Sequence, residues 1–305
     1  MKLRHVISAR QFDTTFLQEI FNITDKIKAG NFNKNALSGK IMATLFYEPS
    51  TRTRLSFESA MQKLGGSVIA TENAAEFSSA IKGETLEDTI RIVNFFADVI
   101  VLRHPQAGAS ELASKFSDVP IINGGDGNGE HPTQALYDVY TIFSKFTNHD
   151  ITVAMMGDLL NGRTIHSLSR YLSLYPKIKQ VFISPEALKI PSNLRVYLNE
   201  KKIDFIELND FKKGVSDADV IYQTRIQKER FKSEKEYKKY FGQFIIDKKT
   251  LSFMKKDAII MHPLPRVNEI APEVDQDKRA MYFQQAQNGL FLRMALLLFL
   301  FDKAS

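Results

Sequence analysis

Short apolar runs alternate with amphipathic stretches along the whole chain. Nine of these runs are rich in branched and aromatic residues, a pattern typical of buried strands. They lie at 41–47, 67–70, 98–102, 119–123, 151–156, 181–184, 205–208, 220–223 and 258–261. Between them, apolar residues recur at helical spacing, as at Leu55, Ala60 and Leu64. Strands that alternate with helices predict an α/β fold built on parallel sheets.

The order of these elements indicates two domains. At 305 residues the chain is long enough for two cores. The polar segment 147–150 separates the first four predicted strands from the last five. We predict a first domain at 1–148, joined by a C-terminal helix at about 284–305, and a second domain at 149–283. The predicted fold is therefore two doubly wound parallel-sheet domains, with the active site in the cleft between them.

Helices are predicted at both ends of the chain. Residues 1–37 contain Phe16, Ile20, Ile23 and Ile27 at near-helical spacing, followed by a glycine stop. The last helix is predicted at 282–301 and is apolar over much of its surface. We expect it to pack back on the first domain, because both halves would otherwise expose sheet faces.

Six of the predicted strands run directly into segments that are unusually rich in arginine, histidine and glutamine. In chain order these segments read STRTR (50–54), RHP (103–105), DGNGEHPTQ (126–134), GDLLNGR (157–163), TRIQKER (224–230) and HPLPR (262–266). Ligands bind beyond the carboxyl ends of parallel strands, at the point where the strand order reverses. One shared cleft would explain why all six segments are polar.

The first of these segments predicts a phosphate site. Ser50 is placed to cap the helix that follows the strand 41–47, and Thr51, Arg52, Thr53 and Arg54 fill the first turn. Unpaired backbone N–H groups and the positive end of the dipole make such a turn an anion site. Arginines are unfavourable there unless an anion lies opposite them.

Composition excludes several other classes of function. The chain contains no cysteine, so it has neither disulfides nor thiolate metal sites. It lacks the glycine-rich loops of nucleotide-triphosphate and dinucleotide sites. His131 and His262 each precede a proline and have no carboxylate pair at metal-ligand spacing. We therefore expect no metal and no cofactor.

Charge and hydropathy point to a small anionic substrate. The net charge of +6 comes from dispersed lysines and arginines, without the interleaved aromatics of nucleic-acid binding. We expect no nucleic-acid partner. The longest apolar run, 294–301, is too short to span a bilayer, and the amino terminus lacks the apolar core of a signal peptide. We predict a soluble cytoplasmic protein.

With those classes excluded, the cationic and neutral hydrogen-bond donors of the polar segments favour a transfer reaction between two anionic substrates. Arg52 and Arg54 can bind oxyanions in bidentate geometry. Arg103 and His131 could converge on a carbonyl oxygen, and Gln134 could hold an amide. The second half of the chain supplies further donors that suit carboxylates, namely Arg163, Arg225 and Gln227. Group transfer that releases phosphate needs no cofactor if such donors stabilise the oxyanion and the leaving group.

The same segments resemble the aspartate/ornithine carbamoyltransferase family, and within it the catalytic chains that use aspartate. The resemblance extends from about residue 3 to residue 300 through FYEPSTRTRLSFESA, KGETLEDT, VLRHPQ, GDGNGEHPTQAL, GDLLNGRTIHSL, TRIQKER, HPLPRVNEIAPEVD and YFQQAQNGLFLRMALL. It implies transfer of the carbamoyl group of carbamoyl phosphate to L-aspartate, giving N-carbamoyl-L-aspartate and phosphate in pyrimidine biosynthesis.

The resemblance also implies a role for each residue of the motifs. Ser50, Thr51, Arg52 and Thr53 correspond to the phosphate loop, with Arg52 on the leaving phosphate. Thr53, Arg103 and His131 correspond to the ligands of the carbamoyl oxygen, and Gln134 to the ligand of its amide. The implied aspartate pocket consists of Arg163, Arg225, Gln227 and the backbone around Pro263, Leu264 and Pro265.

The family pattern further implies a homotrimer with active sites shared between subunits. A loop containing Ser78 and Lys82 would reach into the site of the neighbouring subunit. This loop departs slightly from the pattern, because Ile81 stands where a second lysine can occur. The resemblance leaves open whether a separate regulatory chain joins the trimers.

Two rival functions follow from the same motifs. Ornithine carbamoyltransferases share the S-T-R-T-R and H-P-x-Q elements but bind an amino acid with an extra cation, so their second domain should supply acids. Arg163, Arg225 and Gln227 favour a dicarboxylate instead. The other rival is a non-catalytic anion-binding protein, against which the intact donor set argues.

Several polar residues are given structural interpretations. We expect Glu48 and His104 to tie loops together and His166 to be a packing histidine. The charged run 228–239 is either a solvated face or a mobile loop that closes over aspartate.

Overall fold

Two separate parallel sheets form the frame of the protein. The computed structural model describes residues 5–72, 83–231 and 233–303. Its chain divides into two compact units, the first comprising Met1–Tyr137 and Gln287–Ser305 and the second Asp138–Ala286. Each unit contains one of the sheets, as the alternation of strands and helices predicts.

The sheet of the first unit has four parallel strands in the order β2-β1-β3-β4. The strands are Ile41–Phe46 (β1), Ser67–Glu72 (β2), Val99–His104 (β3) and Ile121–Asp126 (β4). The chain adds β2 on one side of β1 and then crosses to add β3 on the other. The strand order therefore reverses between β1 and β3, which is where this class of sheet binds ligands.

The sheet of the second unit has five parallel strands in the order β7-β6-β5-β8-β9. The strands are Thr152–Met156 (β5), Lys179–Ile183 (β6), Phe205–Leu208 (β7), Val220–Gln223 (β8) and Ile259–Met261 (β9). Here the order reverses between β5 and β8. Both sheets thus contain a reversal point whose two flanking strands are among those predicted to end in polar segments.

Helices connect the strands, as parallel pairing requires. They are Thr14–Lys28 (α1), Thr51–Lys63 (α2), Leu86–Val93 (α3), Ala109–Ser114 (α4), Pro132–Lys145 (α5), Arg163–Leu172 (α6), Ser192–Glu200 (α7), Phe211–Ser216 (α8), Glu234–Lys238 (α9), Lys248–Phe253 (α10) and Tyr282–Leu300 (α11). Short 3₁₀ turns lie at Ala9–Gln11, Glu186–Leu188, Lys228–Arg230 and Pro272–Gln276. Side chains of Asp13, Thr85, Asp210 and Asp247 cap the helices that follow them.

The prediction of a helix over residues 1–37 is wrong at its amino end, whereas the predicted glycine stop is confirmed. Val6 instead pairs in parallel with Ile122, and its N–H donates to Ile121 O at 2.8 Å. The helix begins only after Asp13, whose side chain accepts from the Phe16 N–H. It ends at Lys28 because Gly30 adopts a φ of +84°, which other residues rarely adopt.

The last helix, α11, packs against residues of the first unit from Gln287 onward. The Phe299 ring meets the edge of the Phe16 ring at 5.3 Å, and the Arg293 guanidinium lies 4.6 Å from the Phe57 ring. Most of the helix is buried, which explains its apolar composition. Among the described residues, no helix is both long and apolar enough to cross a bilayer.

Candidate active site

The six polar segments lie at the carboxyl ends of six strands, three in each sheet. The first unit has them after β1, on β3 and after β4, and these strands are neighbours in its sheet. The second unit has them after β5, β8 and β9, which are also neighbours. Because parallel strands end at the same edge of a sheet, each unit gathers three of the segments at one edge.

The amino end of α2 has the features of an anion site. Ser50 occupies the position that precedes the helix, and its hydroxyl makes no capping hydrogen bond. The first turn reads Thr-Arg-Thr-Arg, so it combines backbone N–H groups, the positive end of the dipole and two guanidiniums. Thr53 is buried in this turn, whereas Arg52 is exposed to solvent.

A carboxylate of α2 contacts the Arg54 side chain. The Arg54 Nε lies 3.8 Å from Glu58 Oε1, and the Thr44 hydroxyl donates to the same oxygen at 3.0 Å. Glu58 therefore ties the Arg54 side chain to β1. Sequence reasoning did not assign Glu58 a role, although its i,i+4 spacing from Arg54 could have indicated the pair.

Arg103 and His131 approach the same edge from β3 and from the turn after β4. Arg103 donates to Gly124 O at 3.0 Å and lies 3.5 Å from the Glu48 carboxylate. His131 is buried immediately before α5. One turn further along, the side-chain oxygen of Gln134 accepts a hydrogen bond from the Tyr137 hydroxyl. This bond fixes the plane of the Gln134 amide.

Two acids that sequence reasoning missed hold the turn that presents His131. Asp126 accepts from the backbone N–H groups of Glu130 (2.9 Å) and Gly108 (2.8 Å). The Glu130 carboxylate in turn accepts from the Ser8 hydroxyl and the Ala9 N–H, both at 2.7 Å. The amino-terminal segment thus anchors the residue directly before His131, although the two are far apart in the chain.

In the second unit, the segments after β5 and β8 are bonded to each other. Thr224 donates its hydroxyl to Met156 O at 2.9 Å, and the Gln227 amide donates to Asn161 O at 3.2 Å. Asp158 accepts from both the backbone and the side-chain nitrogen of Asn161. Burial raises the pKa of Asp158, although these hydrogen bonds act in the opposite direction.

These bonds place two of the predicted carboxylate ligands on neighbouring segments. Arg163 is the first residue of α6, and Arg225 follows β8 by two positions; both side chains are half-buried. Gln227 is also half-buried and is oriented by its bond to Asn161. The carboxyl edge of this sheet therefore carries two guanidiniums and an amide.

The turn after β9 is built around a buried histidine. His262 Nδ1 accepts from the Leu264 N–H at 2.7 Å, so its Nε2 carries the proton and donates to Glu269 at 2.8 Å. Glu269 also accepts from the N–H groups of Val267 and Asn268. Burial alone would raise the pKa of Glu269, but the hydrogen bonds from His262 and from the backbone N–H groups outweigh it and lower the pKa.

These contacts fix the backbone of Pro263, Leu264 and Pro265, the third segment of the predicted aspartate pocket. Leu264 has a φ of +51°, and the Leu264–Pro265 peptide bond is cis. His262 is thus a support for the turn, and Glu269 is a second support that sequence reasoning missed. Ser78 and Lys82 lie outside the described residues.

Family models match both units of the chain. Residues 4–144 match the carbamoyl-P binding domain of aspartate/ornithine carbamoyltransferase, and residues 149–300 match its Asp/Orn binding domain. The chain belongs to the aspartate/ornithine carbamoyltransferase family.

Named members of this family resemble the chain over nearly its whole length. The aspartate carbamoyltransferase catalytic subunit of Clostridium novyi (strain NT) is 49% identical over 299 residues, which is 96% of each chain. Among solved structures, the catalytic subunit of M. jannaschii aspartate transcarbamoylase is 46% identical, with a TM-score of 0.89 and 98% of each chain covered. A Trypanosoma cruzi aspartate transcarbamoylase in complex with N-(phosphonacetyl)-L-aspartic acid is 40% identical, with a TM-score of 0.86, covering 96% of this chain and 94% of that one.

Some polar residues of the family motifs have structural roles. Glu48 pairs with Arg103, and the His104 ring lies 4.9 Å from the Tyr47 ring, so both tie the segment after β1 to the end of β3, as predicted. His166 is buried with its Nε2 at 2.9 Å from Leu159 O, which confirms it as a packing histidine.

The charged run 228–239 has the contacts of a solvated face. Exposed Glu234 lies 3.7 Å from the Lys228 ammonium and 3.6 Å from that of Lys238, and all three side chains are exposed to solvent. Such pairs contribute little to stability. Closure of this run over a substrate stays a prediction.

Proposed function

We propose that this protein catalyses the aspartate carbamoyltransferase reaction. The amine nitrogen of L-aspartate forms a bond to the carbonyl carbon of carbamoyl phosphate and loses a proton, while the carbon–oxygen bond to phosphate breaks. The products are N-carbamoyl-L-aspartate and phosphate, a step of pyrimidine biosynthesis. Membership of the family supports the transfer, and the names of the relatives support aspartate as the acceptor.

The observation that carries the choice of acceptor is the donor set at the carboxyl edge of the second sheet. Arg163 and Arg225 are cations on neighbouring segments, and Gln227 is a neutral donor held beside them. Guanidiniums bind carboxylates in bidentate geometry. Aspartate carries two carboxylates, whereas ornithine carries an additional cation that this set would repel. We therefore assign the aspartate pocket to these residues and the backbone of Pro263, Leu264 and Pro265.

We assign carbamoyl phosphate to the first unit. Backbone and hydroxyl donors of Ser50, Thr51 and Thr53 would hold the phosphate, and Arg52 would neutralise the charge that grows on it as it leaves. Thr53, Arg103 and His131 would polarise the carbonyl oxygen, and Gln134 would orient the amide of the carbamoyl group. The protein needs only to position both substrates and stabilise charge, so no cofactor enters this scheme.

Assay of the purified chain tests this proposal. Carbamoyl phosphate is supplied with L-aspartate, with L-ornithine or with no acceptor, and carbamoylated product and phosphate are measured. We expect product with aspartate, with phosphate released in equal amount, and neither above background with ornithine. Carbamoylation of ornithine instead would contradict the assigned acceptor, and phosphate release without product would contradict the transfer.

We also propose a cytoplasmic homotrimer in which Ser78 and Lys82 complete the site of a neighbouring subunit. The family resemblance of this segment supports the proposal. Arg52→Ala and Lys82→Ala proteins should each be nearly inactive, since each lacks one member of every site. Refolding the two variants together should restore activity, because some sites then combine an intact loop with an intact phosphate cradle.

The refolding experiment has a clear negative outcome. Sites confined to one subunit could not be rescued, since every chain carries a defect. Verified mixed trimers that remain as inactive as the single variants would therefore contradict shared sites. Each variant refolded alone is the matched control.

A further inference from the structure

Four buried polar groups form a chain of hydrogen bonds through the second unit. Asp138 on α5 accepts from the Tyr222 hydroxyl at 2.6 Å and from the Gln285 side-chain amide at 2.7 Å. The side-chain oxygen of Gln285 accepts from the His262 N–H at 2.9 Å. Asp138 and Tyr222 are 0% exposed, Gln285 is 1% exposed and His262 is 2% exposed. These hydrogen bonds, called the series below, run from Tyr222 through Asp138 and Gln285 to His262 and join α5, β8, α11 and the end of β9.

Both ends of this series lie next to segments assigned to aspartate. Tyr222 precedes Thr224 and Arg225 on the strand that leads to them, and its hydroxyl is fixed by Asp138. His262 is the first residue of the turn that contains Pro263, Leu264 and Pro265, and its ring accepts the Leu264 N–H. A displacement of Asp138 would therefore reach two sides of the proposed pocket, one through Tyr222 and the other through Gln285.

Asp138 also lies one helical turn beyond Gln134, on the same face of α5. The helix that carries the proposed carbamoyl ligand therefore also carries the carboxylate to which Tyr222 and Gln285 bond. A buried carboxylate is costly unless its hydrogen bonds are made, and apolar packing would have filled the same space without that cost. A role in holding the strand ends explains why a carboxylate stands here.

We propose that Asp138 is a positioning residue, which sets the carboxyl end of β8 through Tyr222 and the turn after β9 through Gln285. This inference rests on the proposed function. Its effect is on aspartate: the pocket backbone loses its alignment when the series is broken, while the phosphate cradle at α2 is unaffected.

The polarity of the series allows a test by exchange of two side chains. Gln285 uses its oxygen for the His262 N–H, so its NH₂ group faces Asp138. In Gln285→Glu, two carboxylates therefore face each other in a buried site. In Asp138→Asn, one bond is lost, because Tyr222 and Gln285 donate to different carboxylate oxygens and an amide has only one oxygen. In the double variant, the new amide at position 138 would donate to the new carboxylate at position 285, which still accepts the His262 N–H.

We expect each single variant to raise the KM for aspartate by about tenfold or more, with the Kd for carbamoyl phosphate unchanged within about twofold. In the double variant the aspartate KM should return most of the way to the wild-type value. All three hydrogen bonds are made again, and only the bond between positions 138 and 285 has its donor and acceptor exchanged. Tyr222→Phe, which removes one donor without adding a charge, should give a smaller rise. Kinetics at varied aspartate and calorimetric titration with carbamoyl phosphate measure these effects.

A matched control separates positioning from general stability. Ser169 donates to Gln180 at 2.6 Å in the same unit, and both residues are buried near the amino end of β6. Ser169→Ala should lower Tm without raising the aspartate KM. If the Asp138 and Gln285 variants likewise lower Tm but leave the aspartate KM within about twofold of the wild type, the positioning role is refuted.

Hydrogen exchange provides a readout that does not depend on activity. Amide exchange in peptides that cover His262 and Leu264 should accelerate in Gln285→Glu and return toward the wild-type rate in the double variant. Unchanged exchange in the single variants would overturn the inference. A wild-type protein that fails to carbamoylate aspartate would refute the proposed function instead, and the exchange rates would still decide whether Asp138 holds this turn.

Discussion

A single added methyl group at Gly157 should impair the use of aspartate. Gly157 follows β5 with a φ of +113°, and a Cβ at this position would lie 2.3 Å from Thr224 O and 2.7 Å from Thr224 Oγ1. Thr224 directly precedes Arg225, so the two backbones touch where the proposed carboxylate ligands begin. Only glycine permits this approach.

The size of the effect follows from the clash. Cβ atoms essentially never approach other atoms closer than 3.0 Å, so Gly157→Ala must move the two segments apart by at least about 0.7 Å. A misplacement of about 1 Å can cost about a hundredfold in rate when it affects groups that position a substrate. We therefore expect kcat/KM for aspartate to fall by about 10- to 100-fold. The positive φ adds a strain of about 1–3 kcal/mol to the folded state.

Steady-state kinetics and thermal melting separate the two consequences. Gly39 is the matched control, because it also has a positive φ (+77°) but has no atom within 4 Å of the place that a Cβ would occupy. Gly39→Ala should lower Tm while leaving kcat/KM for aspartate near that of the wild type. If Gly157→Ala lowers Tm as Gly39→Ala does and leaves kcat/KM for aspartate unchanged, the close approach to Thr224 does not shape the pocket.

Three further substitutions test separate parts of the scheme. Arg52→Ala should lower kcat by about a hundredfold or more, because its charge acts mainly on the departing phosphate, and a value within about threefold of wild type would remove Arg52 from the mechanism. Arg225→Ala should weaken the binding of aspartate far more than the binding of carbamoyl phosphate in direct titrations. Equal weakening of the binding of both substrates would contradict the assignment of each substrate to one unit. Glu269→Gln should lower Tm near neutral pH, since the folded protein lowers the pKa of Glu269 from its ordinary value of 4.5. That stabilisation is present above the ordinary pKa and is lost as pH falls through the pKa of the folded protein. The difference in Tm between the wild type and Glu269→Gln should therefore narrow in acid. A difference that stays constant with pH would contradict stabilisation by the ionised carboxylate.

The sequence predicts the strands and the polar segments at their carboxyl ends well, because both follow from local patterns of apolar and polar residues. The bounds of β7 and β8 agree with the prediction to the residue. The strands that carry Arg103 and Asp126 extend further than predicted, since apolar runs end before the backbone pairing does. The positions of the six polar segments at strand ends are predictable because each closely follows an apolar run. The parallel sheets then bring three of them together in each unit.

Contacts between distant positions could not be predicted in this way. Glu130 is bonded to Ser8 and Ala9, and Asp138 to Gln285, pairs that no periodicity links. The strand-like pairing of Val6 with Ile122 overrides any helical tendency of the amino-terminal residues. Such contacts depend on the tertiary fold, whereas the residues that they hold in place are recognisable from sequence motifs.

Calorimetric titration with N-(phosphonacetyl)-L-aspartic acid tests most directly whether the phosphate cradle and the dicarboxylate pocket act on one reaction. This compound joins a phosphonate to aspartate, so it should engage the donors of both units at once. We predict one molecule bound per chain, with a Kd far below those of phosphonoacetate and of aspartate measured separately, and loss of that gain in both Arg52→Ala and Arg225→Ala. Binding no tighter than that of either half alone would contradict a single reaction served by both sets of donors.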